Sequence, residues 1–285
     1  MRRTAAALAV AVASIGAIGV VTVATETPSS AGGTPPSCTD FWQGPSTGVT
    51  NWNANSTYWS AGFPTGSSIV CVNEAGTYTV QMTANTSVAA LEVGGATSGA
   101  QTVLVNATGG TVELSSSAES YAESGGTLTL ESGTGNAYLL GGGSADVQSG
   151  GALTTEGSSG DVYLYDAITN ETGGTVTIGS TTTDQSDGTL TSNAGGFTVS
   201  SGATLALSSS SGFTQSAGTL VVSGTLTESS GTFTQSGGAE SVNPVDLTGG
   251  TLADSAGTGA FEFTGNGTLS GTVPVGQTVT ADGAG

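Results

Sequence analysis

The sequence predicts an all-β fold: a right-handed, single-stranded parallel β-helix with three sides and an N-terminal aromatic cap. Three observations predict it. Short alternating segments follow a glycine again and again, as in Gly110-Thr-Val-Glu-Leu114, Gly126-Thr-Leu-Thr-Leu130, Gly174-Thr-Val-Thr-Ile178, Gly218-Thr-Leu-Val-Val222 and Gly224-Thr-Leu-Thr227. Polar/apolar alternation over four or five residues is a strand signal, and glycine marks the turn. The apolar residues Phe213, Leu220, Leu226 and Phe233 fall six or seven apart, and Phe-Thr-Gln-Ser recurs at Phe213 and Phe233. Three such steps make one coil of about 20 residues, the period of a three-sided solenoid. The pair Tyr138 and Tyr163 suggests longer coils upstream. Finally, no stretch after residue 25 has a helical period. An antiparallel sandwich array and plain low-complexity disorder are the alternatives, and the regular alternation argues against disorder.

The fold accounts for the composition. Each strand sends alternate side chains into a narrow interior, where Leu, Val, Ile and Phe stack on their counterparts in the next coil. Outward positions take Thr, Ser and Glu. Thr suits them because it is β-branched and polar. The 48 glycines serve corners that need positive φ or close backbone approach.

In chain order, Met1-Arg2-Arg3 and the apolar run Ala5–Ala24 read as a secretory signal over residues 1–24. Cleavage after Ala24 or after Ala31 satisfies the small-residue rule, so removal as late as 31 fits equally. Residues 25–37, TETPSSAGGTPPS, read as an extended linker. Residues 38–95 hold Trp42, Trp52, Trp59 and both cysteines and are expected to form the cap and first coils. Residues 96–285 are the Gly/Thr-rich repeats. Cys38 and Cys71 in an exported chain without histidine are expected to form one disulfide. It would close a loop that stabilises by roughly 4 kcal/mol on the chain-entropy model.

Charge removes much chemistry. The chain has Lys+Arg 2, Asp+Glu 21 and His 0, a formal net charge of −19. Both basic residues are Arg2 and Arg3, inside the expected signal. No histidine-dependent triad, histidine zinc site or phosphate clamp can be built from the remainder. Nucleic acid is not an expected partner, because nothing neutralises its phosphates. No membrane span is expected after signal cleavage.

The order Trp42…Asn51-Trp52-Asn53…Tyr58-Trp59-Ser60-Ala61-Gly62-Phe63-Pro64, followed by Ser68-Ile69-Val70-Cys71-Val72 and then Gly-Thr coils, resembles the start of bacterial secreted β-helix repeat proteins. Those are the autotransporter passenger-like and filamentous-haemagglutinin-like adhesins. The resemblance covers nearly all of the chain after the signal. It implies the fold, a secreted or cell-surface location and an extracellular surface or glycan as partner. It implies a structural or adhesive role and no catalysis. The translocator barrel that accompanies some of these proteins is not found in these residues.

The same residues bear on other roles. Pectate lyases and polygalacturonases use the β-helix scaffold, but their basic and histidine motifs are missing here. A glycosidase needs only two carboxylates. Asp184 with Asp187, and Glu119 with Glu123, are the closest acidic pairs, and solvated surface charge is the plainer reading of both. The acids are spread along the sequence, which argues against a site. No cofactor is expected, beyond weak or diffuse calcium binding around Asp184–Gly188. The tryptophans could instead form a sugar platform. Thr-x-Thr triplets at Thr77, Thr127, Thr175, Thr189, Thr225, Thr232 and Thr278 could stack as an ice-binding ladder, although their irregular spacing favours ordinary outward threonines.

Overall fold

The structure, a computed structural model, describes residues 35–282 apart from 97, 158, 185–189 and 209–210. The expected signal and nearly all of the linker lie outside the described residues. So does Asp187. The described chain is a parallel β-solenoid with three faces. The first face carries Asp40–Phe41, Ile69–Val72, Ala90–Val93, Ser120–Ala122, Ser144–Val147 and Ala167–Asn170, each bonded in parallel to the next. Thr47–Asn51, Gly76–Met82, Gly99–Ala107, Gly126–Ser132 and Ala152–Gly157 build the second. Thr86–Val88, Val112–Ser116, Ala137–Leu140 and Val162–Leu164 build the third. The ladders continue to Thr268–Gly271 and Gln277–Ala281. A single 3-10 turn, Ser56–Tyr58, is the only helical element among the described residues.

The apolar beat maps onto the faces as expected. Phe213, Leu220, Leu226 and Phe233 lie on the first, second, third and again the first face, and all four are buried. Phe213 pairs in register with Phe233, and their rings stack at 5.1 Å. Phe197 and Phe261 meet this pair edge-on, so a phenylalanine spine fills the interior of the later coils. Each such ring removes enough apolar surface from water to contribute about 1.5–3 kcal/mol.

Coil length is not constant. Hydrogen-bonded counterparts lie 25 residues apart at Asn136 and Asp161, 23 at Asn170 and Asn193, 20 at Glu240 and Ala260, and 18 at Asp246 and Thr264. The expected coil of about 20 residues fits the later coils and the step of 21 from Ile69 to Ala90, but not the step of 29 from Glu92 to Tyr121. Corners change length while strands hold register. Glycine makes the tight corners possible. At Gly218, φ is +63°, and a Cβ there would collide with the Gly195 carbonyl of the coil below.

One interior column departs from the expected all-apolar stack. Val72, Val93, Ala122 and Val147 follow one another at the end of the first face, and then Asn170, Asn193, Gln215 and Gln235 occupy the same position. All four amides are buried. Asn170 Nδ2 donates to Asn193 Oδ1 at 2.7 Å, and Asn193 Nδ2 donates to Gln215 Oε1 at 2.7 Å. The same donors reach the carbonyls of Gly196 and Thr219, where the next face begins. The amides thus bond both to one another and to backbone carbonyls at the start of the next face.

At the N-terminal end, Cys38 and Cys71 form the expected disulfide, with Cα atoms 5.9 Å apart. Trp42, Trp52 and Trp59 are buried and packed ring against ring, with centroids at 4.9 Å and 4.4 Å from Trp59. Trp59 Nε1 donates to the Trp52 carbonyl at 3.1 Å, so its polar edge is satisfied inside the cluster.

The inside/outside assignment is directly testable. Leu226 is buried against Leu205 of the previous coil, whereas Thr225 is exposed. Leu226→Asp places a charge in a dry stack with no basic partner and should cost several kcal/mol, on the order of 3–5. Thr225→Asp should change the melting temperature by no more than a few degrees. Circular dichroism melts of the two variants make the comparison, and equal losses contradict the assignment.

Candidate functional site

Burial removes the tryptophans from candidacy as a sugar platform. None of Trp42, Trp52 or Trp59 presents a ring face to solvent. The cysteine sulfurs are joined to each other. Glu92 Oε2 lies 3.9 Å from Cys38 Sγ, but a bridged sulfur is not a thiolate ligand. Asp184 ends the strand Thr181–Asp184, and its partner Asp187 lies outside the described residues. Glu119 and Glu123 are described, and they belong to a larger group.

That group corrects the expectation that the acids are dispersed. Coil stacking gathers them on the outer side of the first face. Tyr121 sits in register with Glu92 below it and Asp146 above it, and Asp146 is followed by Thr169. Ala145 and Val147 point into the core, so Asp146 points out. Two residues along on each strand come Glu123, Gln148 and Glu171. Glu119 lies two residues before Tyr121, and Tyr121 Oη donates to Glu119 Oε2 at 2.6 Å. Residues separated by 79 positions in sequence, Glu92 to Glu171, thus share one surface.

Their electrostatics follow from crowding without a counter-charge. Burial raises the Asp146 carboxyl to about 6, and the charges of Glu171 and Glu119 push the same way. A hydrogen bond from Gln148 Nε2 at 3.4 Å opposes the rise. Glu92 is raised by burial and then by the charge of Glu123, and Glu123 is raised by burial. Burial, followed by the bond to Glu119, also raises the Tyr121 phenol. A groove of about 330 Å³, lined by Gly95, Glu123, Ser124, Gln148, Ser149 and Glu171, opens beside these carboxylates.

A second surface feature lies on the third face. Tyr138 and Tyr163 are register partners, their rings stacked at 4.8 Å and within 10° of parallel. Tyr165 lies parallel to both at 6.2 Å and is 38% exposed. Asn136 Nδ2 approaches Tyr138 Oη at 3.4 Å, and Tyr163 Oη approaches Asp161 Oδ2 at 3.5 Å. The result is a partly exposed plate of three rings with polar groups at its rim. The 25-residue beat of Tyr138 and Tyr163 was visible in the sequence. That Tyr165 shares their surface required knowing that these residues form a strand edge. On the second face, Thr129, Thr154, Thr177 and Thr198 stand in one outward column.

No protein-family model, curated protein or solved structure matches this chain.

The raised carboxyls set a pH dependence. Asp146 moves from an ordinary 3.8 to about 6, and the interior Glu240 from 4.5 to about 7 through burial. The folded state therefore holds protons that the unfolded chain has already released between about pH 4 and 7. Stability from this source is complete below pH 4 and lost as pH rises through 6 to 7. In chelator, the melting temperature should rise on going from pH 8 to pH 5, and Asp146→Asn should flatten part of the rise. A fall over that interval contradicts the linkage.

Proposed function

We propose that this chain is an exported, non-catalytic solenoid that makes adhesive contact with an extracellular surface or glycan, with the tyrosine plate as its contact point. The observation that carries the reading is the parallel stack of Tyr138, Tyr163 and Tyr165 on an otherwise Thr-, Ser- and Gly-rich exterior. Tyrosine supplies broad contact area at low entropic cost, with a hydroxyl for polar neighbours. A rigid β-scaffold holds the rings in place before binding, which lowers the cost of ordering them. The basic-then-apolar N-terminus and the Cys38–Cys71 bridge support an oxidising, exported setting. The resemblance of the Trp-rich start and Gly-Thr coils to secreted β-helix adhesins supports the same reading.

Two further readings each have one observation in their favour. The gathered carboxylates favour a polysaccharide-acting protein. The Thr129–Thr154–Thr177–Thr198 column favours ice binding. The adhesive reading expects no turnover of pectin, polygalacturonate, xylan, alginate or glucan, and no thermal hysteresis.

The test is a glycan-array and whole-cell binding screen of the secreted protein beside the triple variant Tyr138→Ala, Tyr163→Ala, Tyr165→Ala. Binding by the native protein should fall at least about tenfold in the variant, while its β spectrum is retained. Undiminished binding moves the contact away from the plate. Turnover lost in Asp146→Asn overturns the non-catalytic assignment.

A further inference from the structure

The third face carries a charge pattern around the tyrosine plate that bears on the chemistry of its partner. Register places Glu113 beside Tyr138 from the coil below, and Tyr163 beside Tyr138 from the coil above. Val112, Leu114, Val162 and Leu164 fill the core from the same strands, so Glu113, Tyr138 and Tyr163 all stand on the outer side. Asp161 precedes Tyr163 by two residues, and its Oδ2 lies 3.5 Å from Tyr163 Oη. Two carboxylates thus bracket the rings. Glu113 Oε2 accepts from Asn85 Nδ2 at 3.0 Å, and the contact of Asp161 with the phenol is long. A carboxylate has about four lone-pair sites, so both acids keep acceptor capacity for an incoming donor. Nothing in the protein can pair with them as a cation. Arg2 and Arg3 are the only basic side chains in the entire sequence, and both precede the described chain.

We infer that the plate docks an arginine-bearing basic peptide segment of a partner protein, an inference that rests on the plate being the contact point. A guanidinium group is planar, stacks on aromatic rings and donates in pairs to carboxylates. The three rings lie within 14° of one another, so a planar cation resting on the exposed Tyr165 lies nearly parallel to all of them. Asp161 and Glu113 offer only acceptors at the rim, and these call for a ligand that brings donors. A lysine ammonium can pair with the carboxylates but has no plane to stack, so arginine is favoured. A neutral glycan can cover the rings but leaves both charges unused. The net charge of −19 repels acidic polymers such as polygalacturonate and alginate, and it draws cations toward the face. Two coil spacings, about 10 Å, separate the backbones of Glu113 and Tyr163. Three extended residues span that length, so a short segment reaches both acids and the rings between them.

Fluorescence anisotropy of dye-labelled hexa-arginine with the full chain, at neutral pH and physiological salt, gives the readout. Hexa-arginine should bind at least about threefold more tightly than hexa-lysine, and hexa-glutamate should not bind. The triple variant Tyr138→Ala, Tyr163→Ala, Tyr165→Ala keeps every charge, and its affinity for hexa-arginine should fall at least about tenfold. Asp161→Asn should weaken the peptide about threefold. Glu156→Gln, exposed on the second face, removes the same charge and should leave the affinity unchanged. Asp161→Asn beside Glu156→Gln carries the test if the triple variant loses its β spectrum. No binding of hexa-arginine, or equal affinity in the native protein, the triple variant and Asp161→Asn, overturns the inference; the second result means diffuse attraction to an acidic protein. Binding of a neutral glycan that depends on the tyrosines, without such binding of hexa-arginine, also overturns it but leaves the plate as the contact point. If no ligand depends on the tyrosines, the plate itself fails as the contact point and this inference falls with it.

Discussion

Coil-on-coil register is the constraint on which the rest of this structure depends. Few strands find a partner nearby in sequence. Each bonds to the strands one coil below and one coil above, and every ladder pairing among the described residues is parallel. With 8% charged residues and no basic side chain after Arg3, ion pairs cannot support the fold. The cohesive terms left are ladder hydrogen bonds, the stacking of like side chains and the single Cys38–Cys71 bridge. Phe213 on Phe233, Leu205 beside Leu226 and Asn170 on Asn193 are the same device in three chemistries.

The amide column shows how the device adapts. An apolar column is the simplest filling, and Val72 through Val147 use it. From Asn170 onward the corners shorten, and the amides reach carbonyls of the next face as well as each other. A buried amide is costly unless its donors and acceptors are engaged, and the stacking engages Asn170 Nδ2 and both ends of Asn193, while Asn170 Oδ1 at the head of the column has no hydrogen-bond partner. The repetition that builds the core also builds the surface. It turns a 25-residue beat into a tyrosine stack, and it turns acids scattered along the sequence into one carboxylate face.

The fold was legible because its signal is periodic. The Gly-Thr-Leu-Thr beat placed Leu226 and Phe233 inside and Thr225 outside, as the structure has them. The cysteines had one sensible pairing. The surfaces were much less legible. Adjacency of Glu92, Glu119, Asp146 and Glu171 depends on steps of 29 residues from Glu92 to Tyr121, 25 from Tyr121 to Asp146 and 23 from Asp146 to Thr169, and that variation sits in corners with no periodic mark. The amide column was hidden for another reason. Asn170 and Gln215 look like loop or outward residues in sequence, and only the parity of the strand shows that they point inward. The tryptophans signalled aromatic packing, but their sequence did not decide between a buried cluster and a platform.

Register itself is the quantity to measure. Thr214 and Thr234 face outward as partners on adjacent coils, where parallel neighbours lie about 4.8 Å apart, within reach of a disulfide. Ser236 is displaced by two residues along the same strand, beyond that reach. Mild oxidation of a Thr214→Cys, Thr234→Cys protein should yield a cross-linked peptide pair in addition to Cys38–Cys71, with the β spectrum intact. The Thr214→Cys, Ser236→Cys protein should remain reduced at the new positions. Cross-linking of both proteins to the same extent, or of neither, contradicts the stacked register from which the core, the tyrosine plate and the carboxylate face all follow.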